Sequence, residues 1–419
     1  MSDREFTGFD VDCVAGAVRQ PPLDDLWAAA RARRRRRSGA VTLAVVVALL
    51  GTAVLPLAAG TRRPEWSGPD EPTVRRDRAT QLHLTGAESG VGVEQRGCSL
   101  RFAHTEDGGL SWSDYATARY RAATCRTDQA GQENAALDFV VLGQRSYLVR
   151  DGGALWLSTD HGRTWRDAEQ AMARVAAFPP TARAVFCQEG CGVLPGPLAV
   201  DPSTGTVYRL AGEPPSPYPP FGVYPSVDGT IWAVHHPGGQ GLPMVVARSV
   251  DRGATWNSWR PPAGAQVQAV VGLGEREAYL LIDPPPPAGA PPMAVSGPVQ
   301  LLRTTDGGAT WTDVGTDLPD TQETRGITVA PDGSLLVAES DHYSGENDPP
   351  PDFTSRLWVS RDEGRHFSPA RAYRREDGAV GVAPGFAWLY GRDDRSALGA
   401  DHVLLTADGR SWTRFPLPE

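Results

Sequence analysis

The chain of 419 residues contains no lysine, and all 41 of its basic residues are arginine. The absence of lysine excludes Schiff-base chemistry, a phosphate-binding lysine of the Walker type and a lysine general base. Several classes of enzyme are therefore excluded before any motif is considered.

Positive charge is scarce outside the N-terminal segment. Residues 39–419 contain 33 arginines and 44 acidic residues, a net charge of −11. An acidic body without a basic stripe repels a phosphate backbone. We therefore predict no nucleic-acid partner.

Glycine and proline are abundant, with 46 and 37 residues, about a fifth of the chain against a usual share of roughly 12%. This content predicts many turns, but an apolar share of 40% with 12 tryptophans still supplies a core. The chain is therefore predicted to be mostly folded. The richness in Ala, Gly, Pro and Arg is typical of a high-GC bacterium.

Long apolar runs are absent except for residues 39–60, which hold 22 residues without a charge, GAVTLAVVVALLGTAVLPLAAG. As a helix this run extends about 33 Å and spans a hydrocarbon core of roughly 30 Å. Arg31 and Arg33 to Arg37 precede it and only Arg62 and Arg63 follow it, which predicts a cytoplasmic N-terminus. The alternative is a signal peptide cleaved near residues 57–59.

The predicted organisation has four parts along the chain. Residues 1–38 form a cytoplasmic tail, 39–60 a transmembrane signal-anchor helix, 61–79 a stalk, and 80–419 an extracytoplasmic body. The predicted location is the cell membrane, with a single pass and the body outside.

Cysteine is rare, with five residues in the chain. Cys13 falls in the predicted tail, whereas Cys98, Cys125, Cys187 and Cys191 fall in the body, where an oxidising compartment favours two disulfides. Four cysteines allow three pairings, and proximity favours Cys98 with Cys125 and Cys187 with Cys191. No second Cys/His pair at zinc spacing is present, so we predict no metal site.

A short phrase recurs along the body. It reads TEDGGLSW from Thr105, STDHGRTW from Ser158, SVDRGATW from Ser249, TTDGGATW from Thr304 and SRDEGRHF from Ser360, and a sixth copy, TADGRSW from Thr406, is one residue short. A short β-like run precedes each copy, such as ALWL or VQLLR, and a second run usually precedes that one. The pattern predicts a series of antiparallel strand units.

The phrase has the chemistry of a rigid turn. Its Asp can accept hydrogen bonds from nearby backbone N–H groups, assisted by the hydroxyl two residues earlier. Its Gly suits a positive φ, and its aromatic residue can anchor the turn in the core. The positions assigned this structural role are Asp107, Trp112, Asp160, Trp165, Asp251, Trp256, Asp306, Trp311, Asp362, Phe367, Asp408 and Trp412.

The phrase resembles the Asp-box, or bacterial neuraminidase repeat, of sialidase-like β-propellers, and the resemblance covers about residues 80–419. It implies an all-β propeller of four-stranded antiparallel blades, with the box in the turn between the third and fourth strands. The copies start 53, 91, 55, 56 and 46 residues apart, so the longest gap predicts a blade without a box, with its hairpin in residues 197–210. Seven blades are predicted, and six are the alternative.

Catalytic sialidases, as the resemblance implies, add a Phe/Tyr-Arg-Ile-Pro motif, three converging arginines, a Tyr/Glu nucleophile pair and an acid/base Asp. No Arg-Ile-Pro phrase occurs in this sequence. We therefore predict a binding or interaction module without catalytic residues and without a cofactor. The alternative is an exo-acting glycoside hydrolase of sialidase type.

The candidate binding surface lies on the face opposite the boxes, where the turns between second and third strands emerge. These turns are short in the first two blades, but long sequences start at His236, Asp283, Asp341 and Gly391. Long connections in compact domains are often functional. The candidate ligand-binding residues are Asp341, His342, Tyr343, Glu346, Asp348 and Asp352, which suit an extracellular glycan or protein ligand.

Overall fold

A computed structural model describes residues 81–127, 133–188, 191–212, 215–236, 244–285, 298–319, 324–340, 354–374, 380–391 and 401–418. All of them belong to one compact unit, Arg75–Glu419. Among these residues there is no helix with the length and apolar content needed to cross a bilayer. The predicted tail, membrane segment and stalk lie outside the described residues.

The described residues form seven successive β-sheets, numbered here in chain order. Sheet 1 contains β1 (Gln81–Leu84), β2 (Gly90–Arg96), β3 (Ser99–Thr105) and β4 (Arg119–Arg121). The hairpin of β5 (Arg126–Thr127) and β6 (Glu133–Asn134) follows it. Sheet 2 contains β7 (Leu137–Val141), β8 (Tyr147–Asp151), β9 (Ala154–Ser158) and β10 (Arg166–Asp167).

The third and fourth sheets depart from simple chain order. Sheet 3 contains β11 (Ala173–Val175), β12 (Arg183–Ala184), β14 (Leu198–Val200) and β15 (Val207–Leu210). Sheet 4 contains β16 (Pro220–Pro225), β17 (Ile231–His235), β18 (Val245–Ser249) and β19 (Asn257–Trp259), counted here as its first to fourth strands. The two-residue strand β13 (Cys187–Gln188) pairs with β16 as an additional fifth strand of this sheet. A helical turn (Ala168–Ala171) precedes β11, and a 3₁₀ turn (Cys191–Val193) follows β13.

The last three sheets are regular four-stranded meanders. Sheet 5 contains β20 (Gln266–Gly272), β21 (Ala278–Asp283), β22 (Gln300–Thr304) and β23 (Thr312–Asp313). Sheet 6 contains β24 (Thr324–Val329), β25 (Leu335–Ser340), β26 (Thr354–Ser360) and β27 (Ser368–Arg374). Sheet 7 contains β28 (Val380–Ala383), β29 (Phe386–Gly391), β30 (His402–Thr406) and β31 (Thr413–Pro416).

The sheets pack face to face and converge along their first strands. The first strands β16, β20, β24 and β28 contact one another in sequence. The largest core cluster joins Trp232 of sheet 4, Leu281 of sheet 5 and Val337 of sheet 6. Seven sheets packed in this way are consistent with a β-propeller, which confirms the all-β class and the predicted number of seven rather than six.

The last sheet packs against the first and closes the series. Leu82, Phe415 and Leu417 share one buried cluster. The backbone N–H of Leu82 also donates a hydrogen bond to the Tyr390 hydroxyl at 3.0 Å. Among the described residues no strand is exchanged between sheets 1 and 7, so side-chain packing and this hydrogen bond hold the junction.

Sheet 3 is the sheet without a box, as the 91-residue gap predicts. Its β14–β15 hairpin falls within residues 197–210, and the turn is built by Asp201, whose carboxylate accepts the backbone N–H of Ser203 at 2.9 Å. The outermost strand, β11, precedes the rest of the sheet in the chain and pairs with β15 in parallel. This parallel strand is the exception to the antiparallel blades that the sequence predicts.

Each of the other six sheets has one of the repeated phrases after its third strand. The phrases begin at the last residues of β3, β9, β18, β22, β26 and β30. We call these six segments the box turns and the side of the sheets from which they project the box end. The connections between second and third strands leave the opposite end, because successive strands are antiparallel.

Candidate functional site

In the box turns, the hydrogen bonds made by the opening hydroxyl and by the Asp carboxylate stay within the turn. In sheet 5, Thr304 Oγ1 donates to Asp306 Oδ1 at 2.8 Å and accepts the backbone N–H of Gly308 at 2.8 Å. The Asp306 carboxylate accepts the backbone N–H of Thr310 at 2.9 Å and its hydroxyl at 2.6 Å. These hydrogen bonds, led by the Thr310 hydroxyl, lower the pKa of Asp306 to about 2. The carboxylate is therefore used within its own turn.

The aromatic residue of each box turn packs on the preceding sheet. Trp165 lies 5.1 Å from Tyr120 of sheet 1, and Trp311 lies 5.6 Å from Trp259 of sheet 4, measured between ring centroids. Phe367 is buried, whereas the five box tryptophans are only half-buried. These rings therefore join neighbouring sheets instead of being fully buried beneath their own turns.

The end opposite the box turns carries connections of very different length. Two residues separate the second and third strands in sheet 1 and two in sheet 2. The corresponding connections hold 9 residues in sheet 4, 16 in sheet 5, 13 in sheet 6 and 10 in sheet 7. Four adjacent sheets therefore project long connections from the same end.

The six candidate ligand-binding residues fall in the connection of sheet 6 and lie outside the described residues. The two strands that carry this connection are described up to its ends. Ser340 of β25 pairs with Ser355 of β26, so residues 341–353 leave the sheet from two adjacent strands at the opposite end. Their predicted role stays a prediction.

Several buried ionisable side chains occupy the opposite end of the sheets. Those in second or third strands are Glu94, Asp151, His235, Glu339 and His402. At the box end, by contrast, buried polar residues are mainly the hydroxyls that open the box turns: Thr105, Ser158, Ser249, Thr304, Ser360 and Thr406. Burying an ionisable group costs more than burying a hydroxyl, so the two ends differ in chemistry.

Glu339 is the most deeply buried of these groups, with 0% of its surface exposed. Its carboxylate accepts a hydrogen bond from Trp358 Nε1 at 2.6 Å. Glu339 also pairs in register with Arg356 of β26 and stands two residues before the candidate connection. Sequence reasoning missed this residue, because an acidic residue in an apolar strand has no signature of its own.

The buried ionisable groups of sheets 1, 2 and 7 also have polar partners. Asp151 accepts hydrogen bonds from the Tyr120 hydroxyl at 3.0 Å and the Thr124 hydroxyl at 2.6 Å. Desolvation raises the pKa of Asp151, but these hydrogen bonds and two from backbone N–H groups outweigh it and leave the pKa below its usual range. His402 bonds to Asp401, and Glu94 lies 2.5 Å from Arg96 Nε.

His235 and His236, at the end of β17, behave differently, as alternation along a strand predicts. His235 is buried, and its Nδ1 lies 2.8 Å from the Tyr218 carbonyl oxygen. Burial lowers the pKa of His235 below its ordinary value. His236 is more exposed and lies 6.2 Å from the ring of Phe221.

The segment between β12 and β14, residues 185–197, reaches across the centre of the sheets; we call it the central loop. Its 3₁₀ turn contacts β7 and β8 of sheet 2 and β16 of sheet 4. Phe186 packs against clusters that belong to sheets 4 to 7. A segment in contact with sheets 2, 4, 6 and 7 must lie where the sheets converge.

Gln188 marks how far the central loop extends. A Cβ atom on Gly326 of β24 would lie 2.8 Å from Gln188 Oε1 and 2.7 Å from Val382 Cγ2 of β28. Glycine at position 326 therefore makes room for the loop beside the first strand of sheet 6. The contact lies near the start of β24, which is at the end opposite the box turns.

Both predicted disulfides are present, and one of them closes the central loop. Cys98 bonds to Cys125 and Cys187 bonds to Cys191. Cys191 is buried in a cluster with Leu148 of sheet 2 and Val200 of sheet 3. The described residues contain no group of three or more His, Cys, Asp or Glu side chains that could hold a metal ion.

Comparison with known proteins gives similarity to solved structures only. No protein-family model and no curated protein sequence matches the chain. The structure titled YCF48 bound to D1 peptide is 14% identical, with 81% of this chain and 84% of that chain covered and a TM-score of 0.29. A Trypanosoma rangeli sialidase is 13% identical, with 78% and 50% covered and a TM-score of 0.33.

A glycoside hydrolase of family 74 from Niastella koreensis is also similar. It is 15% identical, with 80% of this chain and 69% of that chain covered and a TM-score of 0.25. The three similar proteins include enzymes and a peptide complex. Values this low transfer no activity to the chain, so its function is argued from its own residues.

Proposed function

We propose that the chain is a membrane-anchored extracytoplasmic binding module that uses the end opposite the box turns. The observation that carries the proposal is the central loop. Because Phe186 and Gln188 occupy the place where the sheets converge, a ligand at this end would meet the connections around the centre rather than an open axial pocket. Binding on a surface of loops fits this geometry.

The connection between the second and third strands of sheet 6 contains the side chains that would bind the ligand. Residues 341–353 contain four acidic residues, one histidine and one tyrosine, with no arginine. Acidic side chains attract a basic partner over a distance and can accept hydrogen bonds from sugar hydroxyls. The proposed ligand is therefore a basic protein surface or a glycan, bound by Asp341, His342, Tyr343, Glu346, Asp348 and Asp352.

The alternative is an exo-acting glycoside hydrolase of sialidase type, an activity that the Asp-box resemblance suggests. Hydrolysis of this type, as the resemblance implies, requires a Tyr/Glu nucleophile pair and an acid/base Asp that face one bond of the substrate. The buried carboxylates Glu94, Asp151 and Glu339 instead bond to other side chains of the protein. This difference favours binding over hydrolysis.

The binding proposal is tested with the full-length protein on a glycan array and with an immobilised polyarginine peptide. Asp341→Ala and His342→Ala should each weaken capture severalfold and leave the melting temperature unchanged. Glu106→Ala, an acidic change at the box end, is the matched control and should bind like the wild type. Equal capture by all three variants would show that the partner binds elsewhere.

Membrane anchoring is tested separately from ligand capture. If residues 39–60 form a membrane helix, the full-length chain should remain with membranes after alkaline carbonate extraction. Val46→Arg places a charge near the middle of the apolar run and should release a large share of the protein, because a central arginine costs about 2.5–3.5 kcal/mol on insertion scales. Release of the wild-type chain by carbonate would contradict the anchor.

A further inference from the structure

Two histidines stack on each other at the box end, between sheets 1 and 2. The rings of His104 and His161 have centroids 4.1 Å apart and an angle of 25° between their planes. His104 lies one residue before the first box turn, and His161 lies inside the second. The Ser113 hydroxyl lies 2.8 Å from His104 Nδ1 and fixes the orientation of that ring.

His161 keeps a side chain where the backbone favours glycine. Its φ is 64°, and the equivalent positions of two other box turns hold Gly108 and Gly307, at 73° and 75°. A residue other than glycine is strained in this conformation, and we infer that the His161 side chain has a function of its own. At the same position of two other box turns, Arg252 bonds to the Pro179 carbonyl oxygen and Glu363 pairs with Arg303, both within 3.0 Å.

The ring of His161 has no comparable carboxylate partner. It bonds to the backbone of Gln144, but its Nδ1 is buried without a hydrogen-bond partner among the described residues. Desolvation and the positive charges of His104, Arg145 and Arg163 lower the pKa of His161. Positive charges therefore outweigh negative ones in their effect on this ring.

The arginine beside the ring is also incompletely paired. Arg145 Nε is buried and has no hydrogen-bond partner within the described part of the chain. The backbone carbonyl of Arg145 accepts the N–H of His161 at 2.9 Å, which fixes the two residues side by side. The Arg145 Nη1 donates to the Ser203 carbonyl oxygen at 3.0 Å, so part of the guanidinium is engaged while Nε is not. His104, His161, Arg145 and Arg163 are thus close enough to affect one another's charge, on a protein whose net charge is −9.

We propose that His104, His161, Arg145 and Arg163 form a site for a tetrahedral oxyanion, a sulfate group above all. Imidazolium and guanidinium groups donate charge-assisted hydrogen bonds to such an anion. A metal ion fits less well, because two stacked rings do not direct their lone pairs at one point. The site lies at the opposite end of the sheets from the proposed partner surface and does not rest on it.

The pH dependence of the site follows from its histidines. Both imidazoles have a pKa below the ordinary value, His104 chiefly through desolvation, with Glu106 raising and Arg163 lowering it. The other charged group beside the rings is Asp160, which is held by its own turn. An anion that binds the charged imidazoles should bind more tightly as pH falls.

The experiment is isothermal titration calorimetry of the full-length protein with sodium sulfate, which stays a dianion between pH 5.0 and 7.5. Sodium chloride at equal ionic strength is the reference. We expect binding at pH 5.0 to be about tenfold tighter than at pH 7.5. His161→Gly introduces the residue that two other box turns have at this position, so it should keep the fold. Its affinity for sulfate should be at least tenfold lower than that of the wild type.

Glu363→Gly is the matched control, because it makes the same backbone change in another box turn. It should bind sulfate like the wild type, and Arg145→Gln should bind more weakly. A sulfated monosaccharide compared with its unsulfated form distinguishes a glycan-borne sulfate from the free ion. Equal affinity of His161→Gly and wild type, or no dependence on pH, would overturn the proposal.

Discussion

The indole of Trp112 in sheet 1 packs edge-on against the phenyl ring of Phe415 in sheet 7, with ring centroids 6.0 Å apart. Trp112 belongs to the first box turn, and Phe415 is fully buried in the last strand. The same relationship joins Trp165 to Tyr120 and Trp311 to Trp259 in neighbouring sheets. One repeated contact therefore joins consecutive sheets and also joins the last sheet to the first.

The first prediction concerns this closing contact. Phe415→Ala should lower the free energy of unfolding by about 3–5 kcal/mol, the usual cost of removing a buried phenyl ring. A double-mutant cycle with Trp112→Ala should give a coupling energy of about 0.5–1.5 kcal/mol by urea unfolding. Combining Phe415→Ala with Trp311→Ala, in a distant sheet, is the control and should be additive within about 0.5 kcal/mol.

The second prediction separates backbone strain from close packing in one box turn. Gly108 and Gly109 both have positive φ, at 73° and 81°. Of the two, only Gly109 packs against sheet 7. A Cβ atom on Gly109 would lie 2.5 Å from the Pro416 carbonyl oxygen, whereas one on Gly108 meets nothing within 4 Å. Gly108→Ala should cost about 1–2 kcal/mol and Gly109→Ala clearly more, as measured by chemical unfolding.

A smaller loss for Gly109→Ala than for Gly108→Ala would contradict the packing of the first box turn on sheet 7. Because the two glycines are adjacent, the unfolded chain changes equally in both variants. The comparison therefore reports on the folded state.

The third prediction concerns pH and the fifth box turn, where a histidine replaces the usual hydroxyl. His366 Nδ1 lies 2.6 Å from Asp362 Oδ2, and this hydrogen bond and charge, helped by Asp317 and opposed by Arg365, raise the pKa of His366. A histidine with a raised pKa stabilises the fold below its unfolded pKa, near 6.5, and loses that contribution as pH rises through the folded value. Burial lowers the pKa of His104, His161 and His235, which acts in the opposite direction, so the prediction concerns the contribution of His366 alone. The melting temperature of the wild type relative to that of a variant without this histidine should therefore fall from pH 6 to pH 8.

His366→Thr is the control for this titration. Threonine stands at the same position in three other box turns, as Thr164, Thr255 and Thr310, and its hydroxyl donates to the carboxylate at every pH. The melting temperature of the wild type minus that of His366→Thr should therefore decrease as pH rises over this range. Identical slopes for the two proteins would exclude the ion pair as the source.

The fourth prediction concerns the central loop. Gly326→Ala would place a methyl group against Gln188 and Val382, so the loop should be displaced from the first strand of sheet 6. Dithiothreitol should then reduce Cys187–Cys191 faster in the variant, as measured by alkylation and mass spectrometry. Cys98–Cys125 serves as the reference within the same molecule.

Gly143→Ala is the matched control for the central loop, because its Cβ would meet only Val200 at 3.7 Å. It should leave the reduction rate unchanged. If Gly326→Ala also reacted like the wild type, the loop would not be held against sheet 6 as described.

Much of the fold could be predicted because the repeated phrase is local. The Asp, the Gly and the preceding hydroxyl of each copy interact within four residues, so spacing alone located the third strand of six sheets and indicated a seventh. The same reasoning assigned the pairs Cys98–Cys125 and Cys187–Cys191 from proximity.

The remaining features depend on contacts between distant parts of the chain. Gln188 meets Gly326 in sheet 6, and His104 stacks on His161 across two sheets, and neither pairing has a sequence pattern. The parallel strand β11 also comes before the other strands of sheet 3 in the chain, although it pairs with the last of them, β15. The spacing CQEGC predicted a disulfide but not that the loop closed by it would lie at the centre.

The most direct test of the central proposal is hydrolysis of a fluorogenic sialoside by the full-length protein, measured alongside its circular dichroism. A binding module predicts no turnover above that of buffer from protein shown to be folded. Turnover that a single carboxylate substitution such as Asp341→Ala abolished, with the fold unchanged, would contradict the account and establish a glycoside hydrolase.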